Sequence, residues 1–145
     1  MNPQVTSLSP HWEHFHHGAD VGVRGFGRTL EEAFAQAALA VTAVMIPPGE
    51  ARQKESVRIE CDAPDREILL VDFLNAVIFE ISTRKLLLGR FDVRISDGVL
   101  RAQAWGETAE PGRHEPAVEP KGATFTQLKV EHTPEGWLAQ CVIDV

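Results

Sequence analysis

The chain has 145 residues, enough for one domain with one modest core and too few for a two-domain enzyme. Its 14 Lys and Arg against 21 Asp and Glu leave a net charge of −7 at pH 7, which excludes coating a polyanion by overall charge. Hydrophobic residues at 43% and charged residues at 24% are the proportions of a folded domain, not of a disordered or fibrous chain.

Met1 to Pro10 has no basic start followed by an apolar stretch, so no secretory signal is expected. Residues 1–10 are expected to form a flexible segment ahead of a single domain at 11–145. Cys61 and Cys141 lie far apart and outside any metal-knuckle spacing, which predicts two buried thiols, no disulfide, and a reducing, cytoplasmic setting. His14-Phe15-His16-His17-Gly18-Ala19-Asp20 gathers three of the six histidines before a Gly-Ala turn. It reads either as a polar strand end whose Asp20 caps the turn or as part of a ligand site.

Thr29 and Glu32 form a capping box, and Leu30, Phe34, Ala37, Val41 and Val44 continue at helical spacing, so a helix is predicted from Thr29 to just before Pro47-Pro48-Gly49. A strand and then a second helix come next, the latter from Asp65 to about Arg84. Within it, Ile68 to Ile81 is apolar except for Asp72, Asn75 and Glu80; it is too short to span a bilayer and reads as a buried helix. Asp97-Gly98 marks a type I′ hairpin that pairs Ile95 with Leu100, Val93 with Ala102 and Phe91 with Ala104. Glu107 to Lys121, rich in Pro, Gly and charge, reads as a long loop. Pro134-Glu135-Gly136 marks a second hairpin between Leu128–His132 and Trp137–Asp144. The expected architecture is α+β: a single domain with two helices packed on largely antiparallel β-sheet.

The sequence stops on a strand at Ile143-Asp144-Val145. A last strand placed inside the sheet brings the Asp144 side chain close to the α-carboxylate of Val145, and packed carboxylates call for a cation or a proton to relieve their repulsion. Asp20, Asp144 and the Val145 terminus would form an oxygen-only site for a hard ion such as Ca²⁺ or Mg²⁺; entry of His17 or His114 would favour Zn²⁺ or Mn²⁺. The polar face of the first hairpin carries Arg90, Arg94, Arg101 and Trp105, with Arg94 directly across from Arg101. Solvation, an acidic neighbour or an anionic partner must tolerate that pair, and the last reading makes the face a docking patch. No nucleophile elbow, P-loop or dinucleotide fingerprint is present, so no catalytic residue is assigned. Glu107, His114 and Lys121 could serve as acid, base and phosphate ligand, or simply as solubilising loop residues.

Taken in order, His17-Gly18-Ala19-Asp20-Val21-Gly22, Thr29-Leu30-Glu31-Glu32-Ala33-Phe34, Phe73-Leu74-Asn75, Gly106-Glu107, His114, Lys121-Gly122-Ala123-Thr124-Phe125 and Ile143-Asp144-Val145 resemble the archease family across nearly the whole chain. The resemblance implies a metal-binding activator of an RtcB-type RNA ligase, non-catalytic itself, that promotes GTP-dependent guanylylation and multiple turnover in tRNA splicing and RNA end joining. It implies a Ca²⁺-type site at Asp20, Asp144 and Val145, with Mg²⁺ or Mn²⁺ as substitutes. His17, Glu107, His114 and Lys121 become an activating surface, and RNA and GTP are met through the ligase, away from any membrane. The chain departs from the family pattern at Gly18, where Thr is commoner, and at Phe125-Thr126, where a Tyr-His pair is common. Two other readings remain: a metal-dependent hydrolase or phosphotransferase using His114 or Glu107 as base, and a chaperone-like binding module.

Overall fold

The computed structural model describes residues 9–114 and 118–145, so most of the expected flexible segment and part of the expected long loop lie outside the described residues. The described chain runs β1 (His11–His17), β2 (Asp20–Gly27), α1 (Leu30–Thr42), β3 (Glu55–Asp62), α2 (Arg66–Arg84), β4 (Leu86–Ser96), β5 (Val99–Thr108), β6 (Gly122–Ala123), β7 (Lys129–His132) and β8 (Trp137–Asp144). The class is α+β as expected, but the strands form two sheets. One has the order β1-β2-β8-β6 with β7 also on β8; the other has the order β3-β5-β4, and every pairing is antiparallel.

Both helices touch both sheets. α1 starts where the Thr29 hydroxyl accepts from the Glu32 amide at 3.1 Å, while the Glu32 carboxylate reaches back to the Arg28 amide at 2.8 Å. The reciprocal arm thus lands one residue earlier than a capping box requires. α1 also ends earlier than expected, at Thr42. Its carbonyl receives both the Met45 and Ile46 amides, and its hydroxyl donates to the Leu88 carbonyl of β4. These bonds close the helix a full turn before Pro47. α2 is capped by Asp65, whose carboxylate accepts from the Ile68 amide at 2.8 Å, and Lys85 terminates it in the left-handed region at φ 55°.

The first hairpin folds in the expected register, with Asp97 and Gly98 both at positive φ. A bulge between Leu88 and Arg90 then shifts the pairing, so that Leu87 faces Glu107. In the second hairpin Val130 pairs with Ala139, as its apolar face requires. The core is crossed by an aromatic series: Phe34 of α1 stacks on Phe73 of α2 with centroids 6.2 Å apart, and Phe73 meets Phe91 of β4 edge-on at 6.3 Å.

α1 lies directly on β2. A Cβ on Gly25 would collide with the Ala33 carbonyl oxygen and the Ala37 amide nitrogen. Neither backbone atom can swing aside as a side chain could, and Ala33 and Ala37 are fully buried. Gly25→Ala is therefore expected to lose about 2 kcal/mol or more of stability, the upper part of the overpacking range. Urea unfolding checks this: the midpoint falls with the slope unchanged, and an unaltered midpoint would refute the contact.

Candidate functional site

β8 is paired along both edges, to β2 on one side and to β6 and β7 on the other. At its C-terminal end the registers align a row of polar residues. His17 faces Asp20 across the β1–β2 turn, Val21 faces Ile143, so the next step sets Asp20 beside Asp144, and Asp144 faces Gly122 of β6. Directly opposed residues present their side chains on one face with Cβ atoms about 4.5–5.5 Å apart. For this row it is the outer face, because the alternating Val23, Cys141 and Ile143 are buried against the helices. The Val145 amide donates to Asp20 Oδ1 at 3.4 Å, and the Lys121 amide donates to the Asp144 carbonyl at 2.8 Å.

The fold thus gathers His17, Asp20, Lys121, Asp144 and Val145 at one end of the larger sheet. Asp144 and Lys121 are exposed; His17, Asp20 and Val145 are half-buried. Among the described residues no Arg, Lys or His forms an ion pair with Asp20 or Asp144. Nor do any three His, Cys, Asp or Glu side chains there form a group that could hold a metal by themselves. An oxygen cage at this point needs the main-chain carboxylate beside the two aspartates. That donor set is all carboxylate, which suits a hard divalent ion and offers nothing selective for a soft one.

Glu107 and His114 are not exposed loop residues. β5 continues through Thr108, so Glu107 is a strand residue, and it is 1% exposed; His114 is 7% exposed. The Glu107 carboxylate accepts from the Arg113 guanidinium at 2.6 Å and from the Arg52 amide at 2.6 Å, and His114 Nε2 stands 3.4 Å from its Oε2. The Arg113 guanidinium, helped by the Arg52 amide, holds the Glu107 carboxyl down at about 2, well below the ordinary value. His114 Nδ1 accepts from the Glu110 amide at 2.8 Å, which puts the ring proton on Nε2; that buried nitrogen has no well-aligned acceptor. With its carboxylate already bonded to two donors and its imidazole engaged on Nδ1, this cluster ties the segment after β5 to Arg52. It offers no free base to a reaction.

The arginine face forms as expected, with Arg94 opposite Arg101. Arg101 bonds Glu60 at 3.1 Å, Arg94 lies 3.9 Å from Asp92, and Arg90 stacks over Trp105 at 4.5 Å. Of the three ways to tolerate the opposed arginines, two are observed: acidic neighbours supplied by the same sheet, and exposure of both side chains to solvent. The opposition therefore gives no ground for an outside anion.

Sequence reasoning assigns no role to Asn75. Its side chain, on α2, accepts from the Ala123 amide at 2.8 Å and donates to the Ala123 carbonyl at 3.3 Å. The signal is present as a lone amide in an apolar run, but its partner lies 48 residues away.

Known proteins share both the sequence pattern and the fold. The model of the Archease protein family (MTH1598/TM1083) matches residues 12–145. The chain belongs to the archease family. It is 41% identical over 139 residues to the protein archease of Pyrococcus furiosus, covering 92% of this chain and 98% of that protein. The archease of Thermococcus kodakarensis matches at 41% with the same coverage. The solution structure of Methanobacterium thermoautotrophicum protein 1598 superposes with a TM-score of 0.81 at 32% identity, covering 92% of this chain and 98% of that one. The crystal structure of the Thermotoga maritima protein TM1083, described as an archease and possible chaperone, shares the fold with a TM-score of 0.59 at 18% identity, covering 92% and 96% of the two chains.

Both cysteines are free. Burial pushes the Cys141 thiol up to about 12 and, with Asp72 nearby, the Cys61 thiol up to about 11, so neither is an activated nucleophile. No helix among the described residues is long and apolar enough to cross a membrane.

The Glu107 cluster has a pH signature. A carboxyl held at about 2 in the folded state, against 4.5 ordinarily, stabilises the fold fully above the unfolded value and loses that contribution as pH falls from 4.5 toward 2. Glu107→Gln is accordingly expected to be less stable than the unaltered chain at pH 7, with the difference closing across that window. Thermal unfolding from pH 7 down to 2 measures it, and two parallel curves would refute the assignment.

Proposed function

We propose that the chain is a metal-binding accessory protein of an RtcB-type RNA ligase, acting in the cytoplasm. It promotes the ligase's GTP-dependent guanylylation and multiple turnover in tRNA splicing or RNA end joining, and makes no bond itself. The observation that carries this reading is the outer-face row of Asp20 and Asp144, with the Val145 amide bonded to Asp20 and no ion-paired cation among the described residues. The residues are ones the family resemblance marks.

Asp20, Asp144 and the Val145 carboxylate would hold the ion, with Ca²⁺ the best match to an all-oxygen set and Mg²⁺ or Mn²⁺ as substitutes. A bound divalent ion would relieve the carboxylate repulsion and supply concentrated positive charge at the sheet end. His17 flanks the row, and Lys121 offers an exposed ammonium beside it, suited to a phosphate carried by the ligase. RNA and GTP contact would run through that partner. The engagement of Glu107 and His114 removes the base that a free-standing hydrolase would draw from them.

Titration calorimetry with Ca²⁺ and a guanylylation assay with the ligase test this reading together. Asp144→Ala, and separately a short C-terminal extension beyond Val145, should weaken Ca²⁺ binding on the order of 100-fold or more and remove the stimulation, since each takes away a carboxylate the set requires. Circular dichroism should stay unchanged. Full stimulation by the extended protein would overturn the assignment of Val145.

A further inference from the structure

We infer that Asn75 is a positioning residue for the carboxylate row: its amide serves as the outer hydrogen-bonding partner of β6 and thereby sets the places of Lys121 and Asp144. The inference deepens the proposed function and rests on it for the link to metal.

β6 is only two residues long, Gly122 and Ala123, and two residues of pairing do little to hold a strand. On one side it pairs with Asp144 and Ile143 of β8. On the other, the Asn75 side chain both donates to and accepts from the backbone of Ala123. Those are the two bonds that a neighbouring strand would make through one residue, so the side chain continues the sheet. The flanks of β6 are tied to β8 as well: the Lys121 amide to the Asp144 carbonyl at 2.8 Å, the Thr124 amide to the Val142 carbonyl at 3.0 Å.

The segment is therefore clamped between α2 and the last strand, and the clamp sits directly at the row. Asp144 is the residue that β6 pairs with, and Lys121 is the residue that precedes it. α2 is anchored in the core by Phe73 and Leu74, both fully buried, so Asn75 projects from a fixed base. A polar residue with that base and both bonds directed at one backbone unit transmits the rigidity of the core to a sheet end that would otherwise fray. Its loss frees Lys121 and the outer edge of Asp144 without opening the core. Oxygen ligands held less rigidly bind a divalent ion more weakly, in the way that loss of an outer-sphere support lowers metal affinity about 10–100-fold.

Amide hydrogen exchange on the metal-free protein, with Ca²⁺ calorimetry on the same samples, tests the inference. In Asn75→Ala the Lys121 and Ala123 amides should exchange at least tenfold faster, while Val23 and the α1 amides keep their rates and the melting temperature shifts little. Asn75→Asp keeps the acceptor for the Ala123 amide but cannot donate to its carbonyl, and should fall between the two. The Ca²⁺ dissociation constant should rise about tenfold in Asn75→Ala. Unchanged exchange at Lys121 would overturn the inference, and so would accelerated exchange with an unchanged Ca²⁺ constant, which would make the amide a structural tie alone. A wild-type protein that binds no Ca²⁺ would instead overturn the metal reading and the link to it, while the exchange rates still decide whether Asn75 places Lys121.

Discussion

The polar end of this molecule depends on β8 being paired along both edges. A strand with only one neighbour leaves a row of unpaired backbone groups and an end free to fray. Here β2 holds one side as far as Ile143 and β6 and β7 hold the other, so the end of β8 that carries Asp144 is fixed from two directions. Asp20 is placed by the same ladder from the β2 side. The row of His17, Asp20 and Asp144 is thus a property of sheet register, and a slip of one residue in any of its strands would turn the set toward the core.

The fold brings like charges together twice, with different outcomes. Arg94 and Arg101 face one another, but Glu60 and Asp92 lie on the same face and answer them. Exposed pairs of this kind contribute little stability and need no partner to explain them. At the end of β8 the two aspartates have no such ion pair among the described residues, and Lys121, next to the residue that pairs with Asp144, is exposed. An uncompensated pair at a sheet end keeps its repulsion unless something other than its own neighbours relieves it. The buried Glu107 is the third variant of the same problem, solved internally by Arg113 and Arg52.

Local features are legible from the residues themselves. Thr29 and Asp65 start helices where capping chemistry puts them, Asp97-Gly98 turns the hairpin in the expected register, and the apolar run of Ile68 to Ile81 is a helix buried along one face, although Phe79 within it is exposed. The features that differ from expectation depend on contacts distant in sequence. α1 stops at Thr42 because its hydroxyl and carbonyl are both committed, the former to β4. Glu107 reads as a loop residue in the sequence because Pro, Gly and charged residues crowd the stretch after it, whereas the bulge after Leu88 carries β5 on to Thr108. Asn75 is visible as a polar interruption, yet its partner belongs to a strand too short to predict.

By itself the sequence determined the class, the helices, the hairpins and the family, because capping, turn geometry and hydrophobic period act over a few residues and motif order is written along the chain. It also named the aspartates of the row. Only the tertiary structure decided that there are two sheets, that β8 is interior to one of them, that the Lys121 backbone is bonded to Asp144 while Glu107 and His114 are drawn into a buried cluster with Arg113 and Arg52, and that an amide on α2 completes the edge. Each of those depends on which strands pair and on what a buried side chain meets across the core, and no local spacing encodes either.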